Sequence, residues 1–166
     1  MRIKPPYRTH KLMEGIMLIL VLLLAGCVDI NRPDWVHYAE ISGQGWNPED
    51  VLIYEPVPAD SLVPASTLYD FKVIMRSATR SNISELPVAV TVEDAEGVVR
   101  ADTIIIGGSN GPHLESRKAY GVRETTFMLM KATPLKEGLS ITLSPLADAS
   151  SSKGLLNIGI EMRKSK

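Results

Sequence analysis

Few residues in this 166-residue chain have types that could carry out chemistry. There is one cysteine, Cys27, and there are three histidines, so a site of paired thiolates cannot form and no His-Glu-x-x-His spacing occurs. Glu93 and Asp94 are adjacent carboxylates, but adjacent side chains on a strand point to opposite faces. The sequence therefore predicts a non-enzymatic protein with no catalytic residues, no metal site and no cofactor.

A glycine-rich segment, residues 107–111, follows the apolar residues 104–106 and invites comparison with a phosphate-binding loop. It lacks the lysine of such a loop, and no helix start follows to supply oriented backbone amides. A hairpin or crossover loop is the better interpretation. A hydrolase site would have to be assembled by the fold, with His37 or His113 beside a carboxylate and a hydroxyl.

Cys27 ends an N-terminal segment with three distinct parts. Residues 1–11 are basic, residues 16–24 are apolar, and Ala25 and Gly26 are small. As a helix, the uncharged stretch from residue 15 to residue 28 would span about 21 Å, which is short of the roughly 30 Å hydrocarbon core of a bilayer. This order of parts is typical of a secretory signal peptide.

The four residues Leu24-Ala25-Gly26-Cys27 resemble the lipobox of bacterial lipoproteins. The resemblance implies cleavage after Gly26, a diacylglyceryl group on the Cys27 thiol and a fatty acyl chain such as palmitate on its amine. Three chains would hold the protein in a membrane, since each buried methylene contributes about 0.8 kcal/mol. Val28 follows the cysteine, which by the same resemblance favours the periplasmic side of the outer membrane over the inner membrane. A conventional signal peptide with a chance cysteine is the alternative.

The rest of the chain has the length of one domain. We predict a lipoprotein signal peptide at residues 1–26, a lipidated cysteine with a short tether at 27–34, and one domain at 35–166. Removing residues 1–26 takes away four of 18 basic and one of 19 acidic side chains, which leaves 14 against 18 and a net charge of −4. This acidic balance argues against nucleic acid and against an anionic bilayer surface as partners.

Alternation of apolar and polar residues, the period of a β-strand, dominates that domain. In residues 68–76 the apolar side chains fall on one face, with Ile74 as the exception. The same pattern marks residues 88–92, 139–144 and 156–162, and weaker strands are expected at 36–41, 51–55, 98–106 and 123–130. A helix over residues 115–132 is the alternative there, although Gly121 and the β-branched Thr125 and Thr126 disfavour it.

Turn signals separate these stretches, and 11 prolines and 12 glycines leave little room for long helices. Short strands with one polar face each are what two packed antiparallel sheets require. The sequence therefore predicts an all-β fold, an antiparallel β-sandwich of about seven to nine strands, behind the lipoprotein signal peptide.

Two three-residue segments could be modified. Asp60-Ser61-Leu62 and Asp102-Thr103-Ile104 resemble the O-glycosylation sequence of Bacteroidetes periplasmic proteins. Ser61 and Thr103 are therefore candidate O-glycosylation sites, with Ser61 favoured because prolines flank its segment.

Three segments of the chain form a recognisable set: GWNPEDVLIY at residues 45–54, LYDFKVIMR at 68–76, followed by Asn82-Ile83, and LLNIGIE at 155–161. Together with the lipobox they resemble the gliding-motility lipoprotein H family (GldH-type) of Bacteroidetes. Residues 77–81 are SATRS where that family is tyrosine-rich, and Tyr54 stands where phenylalanine is usual. The resemblance implies a non-enzymatic envelope lipoprotein, accessory to a gliding-type apparatus, with Cys27 as its only functional residue.

These observations predict a lipid-anchored domain that contacts another envelope protein, with exposed strand edges as docking sites. The partner is not identified by the sequence. The alternative is a surface or periplasmic module that binds glycans or other ligands. Such a module needs two exposed aromatic rings on one face, and the candidates are Trp35, Trp46, Tyr38, Tyr54 and Tyr120. Trp46, however, lies between Gly45 and Pro48 beside a predicted strand, and this position favours a ring that fills the core or a corner of the fold.

Overall fold

Nine β-strands and one short 3-10 helix form the part of the chain that the computed structural model describes, residues 32–58, 64–81, 83, 85–106 and 114–166. The strands are β1 (Trp35–Glu40), β2 (Leu52–Tyr54), β3 (Leu68–Ala78), β4 (Leu86–Asp94), β5 (Gly97–Ile106), β6 (Leu114–Ala119), β7 (Val122–Pro134), β8 (Ser140–Pro145) and β9 (Leu155–Lys164), and the 3-10 helix is Ala149–Ser152. Within these residues no helix has the length and apolar character needed to cross a membrane. Cys27, Ser61, His113 and residues 107–111 lie outside the described residues.

The strands form two antiparallel sheets, which confirms the predicted all-β sandwich. One sheet has five strands in the order β1-β9-β3-β7-β6, and the other has four in the order β2-β8-β4-β5. Since β5 and β6 belong to different sheets, the chain crosses between the sheets after Ile106. The weaker predicted strands are all present, with ends that differ from the prediction by a few residues.

The segment for which a helix was the alternative is a β-hairpin made of β6 and β7. Its two-residue turn consists of Tyr120 and Gly121, which both have positive φ, 49° and 80°. This is the backbone of a type I′ turn, whose twist suits adjoining strands. No strand was predicted at β6 because Ser116–Ala119 is exposed throughout and therefore shows no apolar alternation.

The inner faces of the two sheets share one apolar core. Alternate residues of β3, β4, β8 and β9 supply most of it, as their period-two pattern predicts. The largest fully buried side chains are Trp46, Tyr54, Tyr69, Phe71, Met75, Leu86, Ile106, Ile141, Leu143, Leu155, Ile158 and Ile160.

One residue predicted to face the core does not do so. Leu156 shares its parity with Ile158 but is 41% exposed, whereas Leu155 is 1% exposed. The pairing of β9 with β3 shifts by one residue between Arg76 and Ser77, so Leu155 takes the inward position. A bulge of this kind reverses which parity faces inward, and sequence alternation does not reveal it.

Candidate ligand groove on the outer face of the five-stranded sheet

A polar groove of about 270 Å³ lies on the outer face of the five-stranded sheet. Strands β9, β3, β7 and β6 supply its walls. Residues directly opposite one another in an antiparallel pair share a face, and Lys72 stands opposite Glu161 while Arg76 stands opposite Glu124. The register therefore gathers charged side chains from distant parts of the chain. The groove is lined by Lys72, Ile74, Ser116, Arg117, Glu124, Thr126, Glu161 and Arg163.

Ile74, the apolar exception in the β3 pattern, forms the floor of the groove. It stands opposite Gly159 on β9 and Thr126 on β7, and it is 3% exposed although it does not belong to the core cluster. Its burial on an outward face means that neighbouring side chains on that face shield it from water. Long charged side chains can do this because their stems are apolar.

Glu124 is held by two arginines. The Nε of Arg76 donates to Oε2 of Glu124 at 2.8 Å, and the Nε of Arg117 donates to Oε1 at 2.8 Å. The Nη2 of Arg117 lies 2.6 Å from the same Oε1. The Glu124 side chain is only 11% exposed, so these charge-assisted hydrogen bonds are partly shielded from solvent. The carboxylate is fully occupied and its position is well defined.

The second carboxylate of the groove, Glu161, is held by Arg163, whose Nε donates to Oε1 at 2.6 Å. Lys72 stands directly opposite Glu161 in the ladder, yet it forms no ion pair within 4 Å with any side chain that the structure describes. The charged side chains that line the groove, with Arg76 beside it, are four cations and two anions. The cations are Lys72, Arg76, Arg117 and Arg163, and the anions are Glu124 and Glu161. Asp70, opposite Arg163 at one end of the groove, is a third anion, and its Oδ1 accepts from the Ala132 N–H and the Ser165 hydroxyl.

Tyr38 and Gly159 fix Arg76 from the other side. A Cβ at Gly159 would lie 2.5 Å from the carbonyl oxygen of His37 and 2.6 Å from the Tyr38 ring, so only glycine leaves room for that ring. The guanidinium of Arg76 lies 4.2 Å from the centre of the same ring, a cation–π contact. Burial raises the pKa of Tyr38. Arg76 is therefore constrained by an aromatic ring as well as by Glu124.

The five rings considered for glycan binding do not come together. Trp46 and Tyr54 are buried, at 1% and 2% exposure. The Trp46 indole donates to the Asp50 carbonyl at 2.8 Å, and the Tyr54 hydroxyl donates to the Ile158 carbonyl at 2.9 Å. Both tyrosine and tryptophan polar groups are thus satisfied inside the protein.

The three remaining rings lie apart. Trp35 and Tyr38 are three residues apart on β1 and so point to opposite faces. Tyr120 is fully exposed in the β6–β7 turn, and β1 and β6 are the two edges of the five-stranded sheet. The Trp35 ring stacks on that of His37, which is not one of the five candidates, at 6.1 Å between centres. These positions give no exposed pair of rings among the five candidates, all of which the structure describes.

Thr103 is exposed on β5, as a modification site requires, and its O-glycosylation remains a prediction. Asp102, the first residue of the three-residue sequence, is exposed as well. It pairs with Arg100 at 2.7 Å and accepts the Thr103 backbone N–H at 2.8 Å, and the hydrogen bond from Arg100 is the main reason that its pKa is lowered. Ile104 is 3% exposed. The other candidate, Ser61, lies outside the described residues.

Two short spacings deserve comparison with known catalytic motifs. Residues 107–111, GGSNG, fit Gly-x-Ser-x-Gly, and residues 113–115 fit His-x-Glu. A nucleophile elbow needs a helix directly after its serine, whereas the next described element is strand β6. Deaminases with His-x-Glu also need a cysteine pair, and this chain has one cysteine. Neither spacing adds a catalytic candidate.

The carboxylates predicted to lie on opposite faces do so. Glu93 is exposed, whereas the side chain of Asp94 is 2% exposed and lies 2.9 Å from the Lys136 amine. Within the described ranges, no group of three or more His, Cys, Asp and Glu residues is placed to hold a metal ion.

Sequence reasoning did not select the groove residues. Arg76, Glu161 and Arg163 belong to polar faces that the alternation identifies, but any of these charges could have been a solvated surface residue. Comparison with known proteins adds no candidate, because no family model, no curated protein and no solved structure matches the chain.

Proposed function

We propose that this protein is a lipid-anchored lipoprotein of the bacterial envelope that acts by contacting other envelope proteins. The observation that carries the proposal is the lipobox sequence at residues 24–27, with the only cysteine of the chain behind a basic and an apolar segment. In this proposal the domain lies on the periplasmic side of the outer membrane, and it is a non-enzymatic accessory of a gliding-type apparatus.

Anchoring matters for such a role because it raises effective concentration. Two proteins confined to one membrane meet far more often than two proteins in solution, so an interface of modest area is occupied. The sandwich supports this role because the outer face of its five-stranded sheet presents a polar groove lined by charged side chains.

The strand edges differ in their suitability for docking. Along β5, Arg100 and Asp102 stand opposite the buried residues Val92 and Val90, so both charges are on the inward-facing side. A register shift at Val99 adds a bulge. Inward charges and bulges are the devices that prevent edge-to-edge pairing. This edge is therefore protected against strand addition.

Arg100 also connects the two sheets, because its guanidinium donates to the Leu129 carbonyl on β7. The opposite edge of the same sheet, β2, has only three residues. The edges of the five-stranded sheet, β1 and β6, are therefore better suited to pair with a strand of a partner protein. The groove opens on that same sheet, so a partner can engage an edge and the groove together.

Replacing Cys27 tests the anchor. We expect wild-type protein expressed in a bacterium with lipoprotein processing to take up a clickable palmitate analogue, and Cys27→Ser to lose at least about tenfold of that label because the acceptor thiol is absent. Gel fluorescence and the intact mass of the purified protein measure this. Val28→Ser, which keeps the thiol, is the matched control and should be labelled like wild type.

Wild-type protein that carries no acyl mass at Cys27 would refute the anchor. The interaction role is tested separately by proximity crosslinking in the native envelope, followed by mass spectrometry. Enrichment of specific envelope proteins over a Cys27→Ser control is the expected result. Crosslinks no more frequent than those of an unrelated lipoprotein at equal abundance would contradict it.

A further inference from the structure

We propose that the groove on the outer face of the five-stranded sheet binds the carboxylates of an acidic segment of a partner protein. The inference deepens the proposed function, on which it rests, by naming the chemistry of the partner surface. Its evidence is the set of charges that β3, β6, β7 and β9 bring together.

The volume of the groove limits what it can hold. It encloses about 270 Å³. Sites for small-molecule ligands usually enclose about 300–1,000 Å³. The groove is thus at the lower limit for a complete small molecule but has room for one or two aspartate or glutamate side chains of an extended segment.

Its charge selects an anion. Lys72 has no ion-pair partner within 4 Å among the described side chains, although it stands opposite Glu161, which Arg163 holds, and lies two residues from Asp70 on the same face of β3. Arg117 is 78% exposed as a side chain, and a guanidinium has five N–H donors. Donors that remain on Arg117 and the Lys72 amine can therefore bind an incoming carboxylate.

Two arginines of the groove are held in place before a ligand arrives. Arg76 is held by the Tyr38 ring and by Glu124, and Arg117 is held by the same Glu124. Side chains that are already fixed lose less conformational entropy on binding, which increases affinity for a given set of contacts. The ion pairs with Glu124 therefore serve to orient Arg76 and Arg117.

A peptide carboxylate suits the groove better than a polyanion such as a sulfated glycan. Glu124 and Glu161 lie within the groove and repel a densely charged ligand. The mature chain would carry a net charge of −4, which also repels a polyanion at long range. A single carboxylate meets less of either repulsion, because it carries one charge and because the net charge of the rest of the protein is screened beyond the Debye length, about 8 Å at physiological salt.

The test uses the mature acylated protein, residues 27–166, in neutral detergent micelles. The probe is a peptide of alternating threonine and glutamate that carries a neutral fluorophore, and fluorescence anisotropy measures its dissociation constant at about 0.05 M salt. We expect binding that weakens by about tenfold or more in Lys72→Glu and in Arg117→Glu. Lys153→Glu makes the same charge change at an exposed residue that does not line the groove and should change binding by less than about twofold.

A peptide in which glutamine replaces every glutamate should bind at least about tenfold more weakly than the acidic probe. Equal losses of peptide affinity in Lys72→Glu and Lys153→Glu would overturn the proposal, because they would show that the peptide is attracted by the net charge of the protein alone. Tighter binding of a sulfated oligosaccharide than of the acidic peptide would also overturn it and assign the groove to glycans. Circular dichroism checks that each variant is folded. If Lys72→Glu is not folded, Lys72→Met, which removes the positive charge without adding a negative one, takes its place.

The two proposals fail separately. If Cys27 is acylated but the protein does not bind the peptide, the proposal for the groove is wrong and the proposal for the anchor stands. If the protein binds the peptide but is not acylated, the proposal for the anchor is wrong and the proposal for the groove stands.

Discussion

At the scale of single residues, Ser152 joins two segments that are far apart in the chain. It is completely buried in the 3-10 helix, its hydroxyl accepts the Trp46 backbone N–H at 2.7 Å, and it donates to the Ala149 carbonyl at 2.9 Å. Gly45 has a φ of 105°, and a Cβ there would lie 1.9 Å from the Ala149 oxygen. The turn before Trp46 is thus packed directly against the helix backbone.

Ser152→Ala should lower the free energy of unfolding by about 1–3 kcal/mol, because it leaves the buried Trp46 N–H without its acceptor. Urea unfolding followed by tryptophan fluorescence measures the change. The matched control is Ser151→Ala, since Ser151 is the exposed neighbour in the same helix. Equal effects of the two substitutions would show that the Ser152 hydroxyl does not stabilise the Gly45–Trp46 turn.

Residue-level predictions succeeded where only local pattern was needed. Trp46, between Gly45 and Pro48, was predicted to fill the core or a corner, and its burial confirms this. The role of Ser152 was not predictable, since its partner lies 106 residues away in the sequence. Nothing local distinguishes it from the exposed serines beside it.

At the scale of elements, ion pairs attach the β4–β5 hairpin to the loop between β7 and β8. The Lys136 amine lies 2.9 Å from Asp94 Oδ2 and 2.6 Å from Glu96 Oε2, and the Ala95 N–H donates to the Glu137 carbonyl at 3.3 Å. The hydrogen bond from Lys136, together with that from the Glu96 backbone N–H, holds the pKa of Asp94 below its ordinary value. The hydrogen bond to the Glu96 side chain, followed by that to Asp94, raises the pKa of Lys136.

This arrangement predicts a loss of stability in acid. A carboxyl whose folded pKa is lowered stabilises the protein above its unfolded pKa of about 3.9 and loses that contribution as the pH falls through the folded value. We therefore expect the urea midpoint of wild type to fall between about pH 5 and about pH 3, and to fall less in Asp94→Asn, which has no such proton to bind.

The matched control for acid unfolding is Asp148→Asn. Asp148 is exposed and forms no side-chain cap hydrogen bond at the 3-10 helix that follows it. The urea midpoint of this variant should fall with pH as much as that of wild type. An Asp94→Asn protein with the wild-type dependence would mean that the pairing of Asp94 with Lys136 contributes little to folding.

Whether an element could be predicted depended on its burial. Strands β3, β4, β8 and β9 have one buried face, so their alternation is visible in the sequence. Edge strand β6 lacks that alternation and was not predicted as a strand. Leu156 was assigned to the wrong face because the β9 bulge changes parity within a single strand.

At the scale of the whole molecule, one core joins both sheets. Residues from β2, β4, β5 and β8 pack in the same cluster as residues from β3, β7 and β9, and Arg100 adds a polar contact between the sheets. Neither sheet can lose its partner without exposing its own apolar face. Residues 33–166 also form a single compact unit.

We therefore expect residues 33–166 to unfold in one cooperative transition. Tryptophan fluorescence, which reports on Trp35 and Trp46, and far-ultraviolet circular dichroism, which reports on all strands, should give the same urea midpoint in full-length protein. Two separated midpoints would show that the sheets are stable independently. Refolding should be slow, on the order of milliseconds to seconds, because most pairings join distant segments.

The sequence by itself determined the fold class, the approximate number of strands and the candidate acylation site at Cys27. Each of these depends on short-range information, a period of two or a motif of four residues. Only the tertiary structure decided which charges meet in the groove. Arg76 and Glu124 are 48 residues apart, and their pairing depends on strand order, register and bulges. Those features are set by packing between distant segments, which local sequence does not specify.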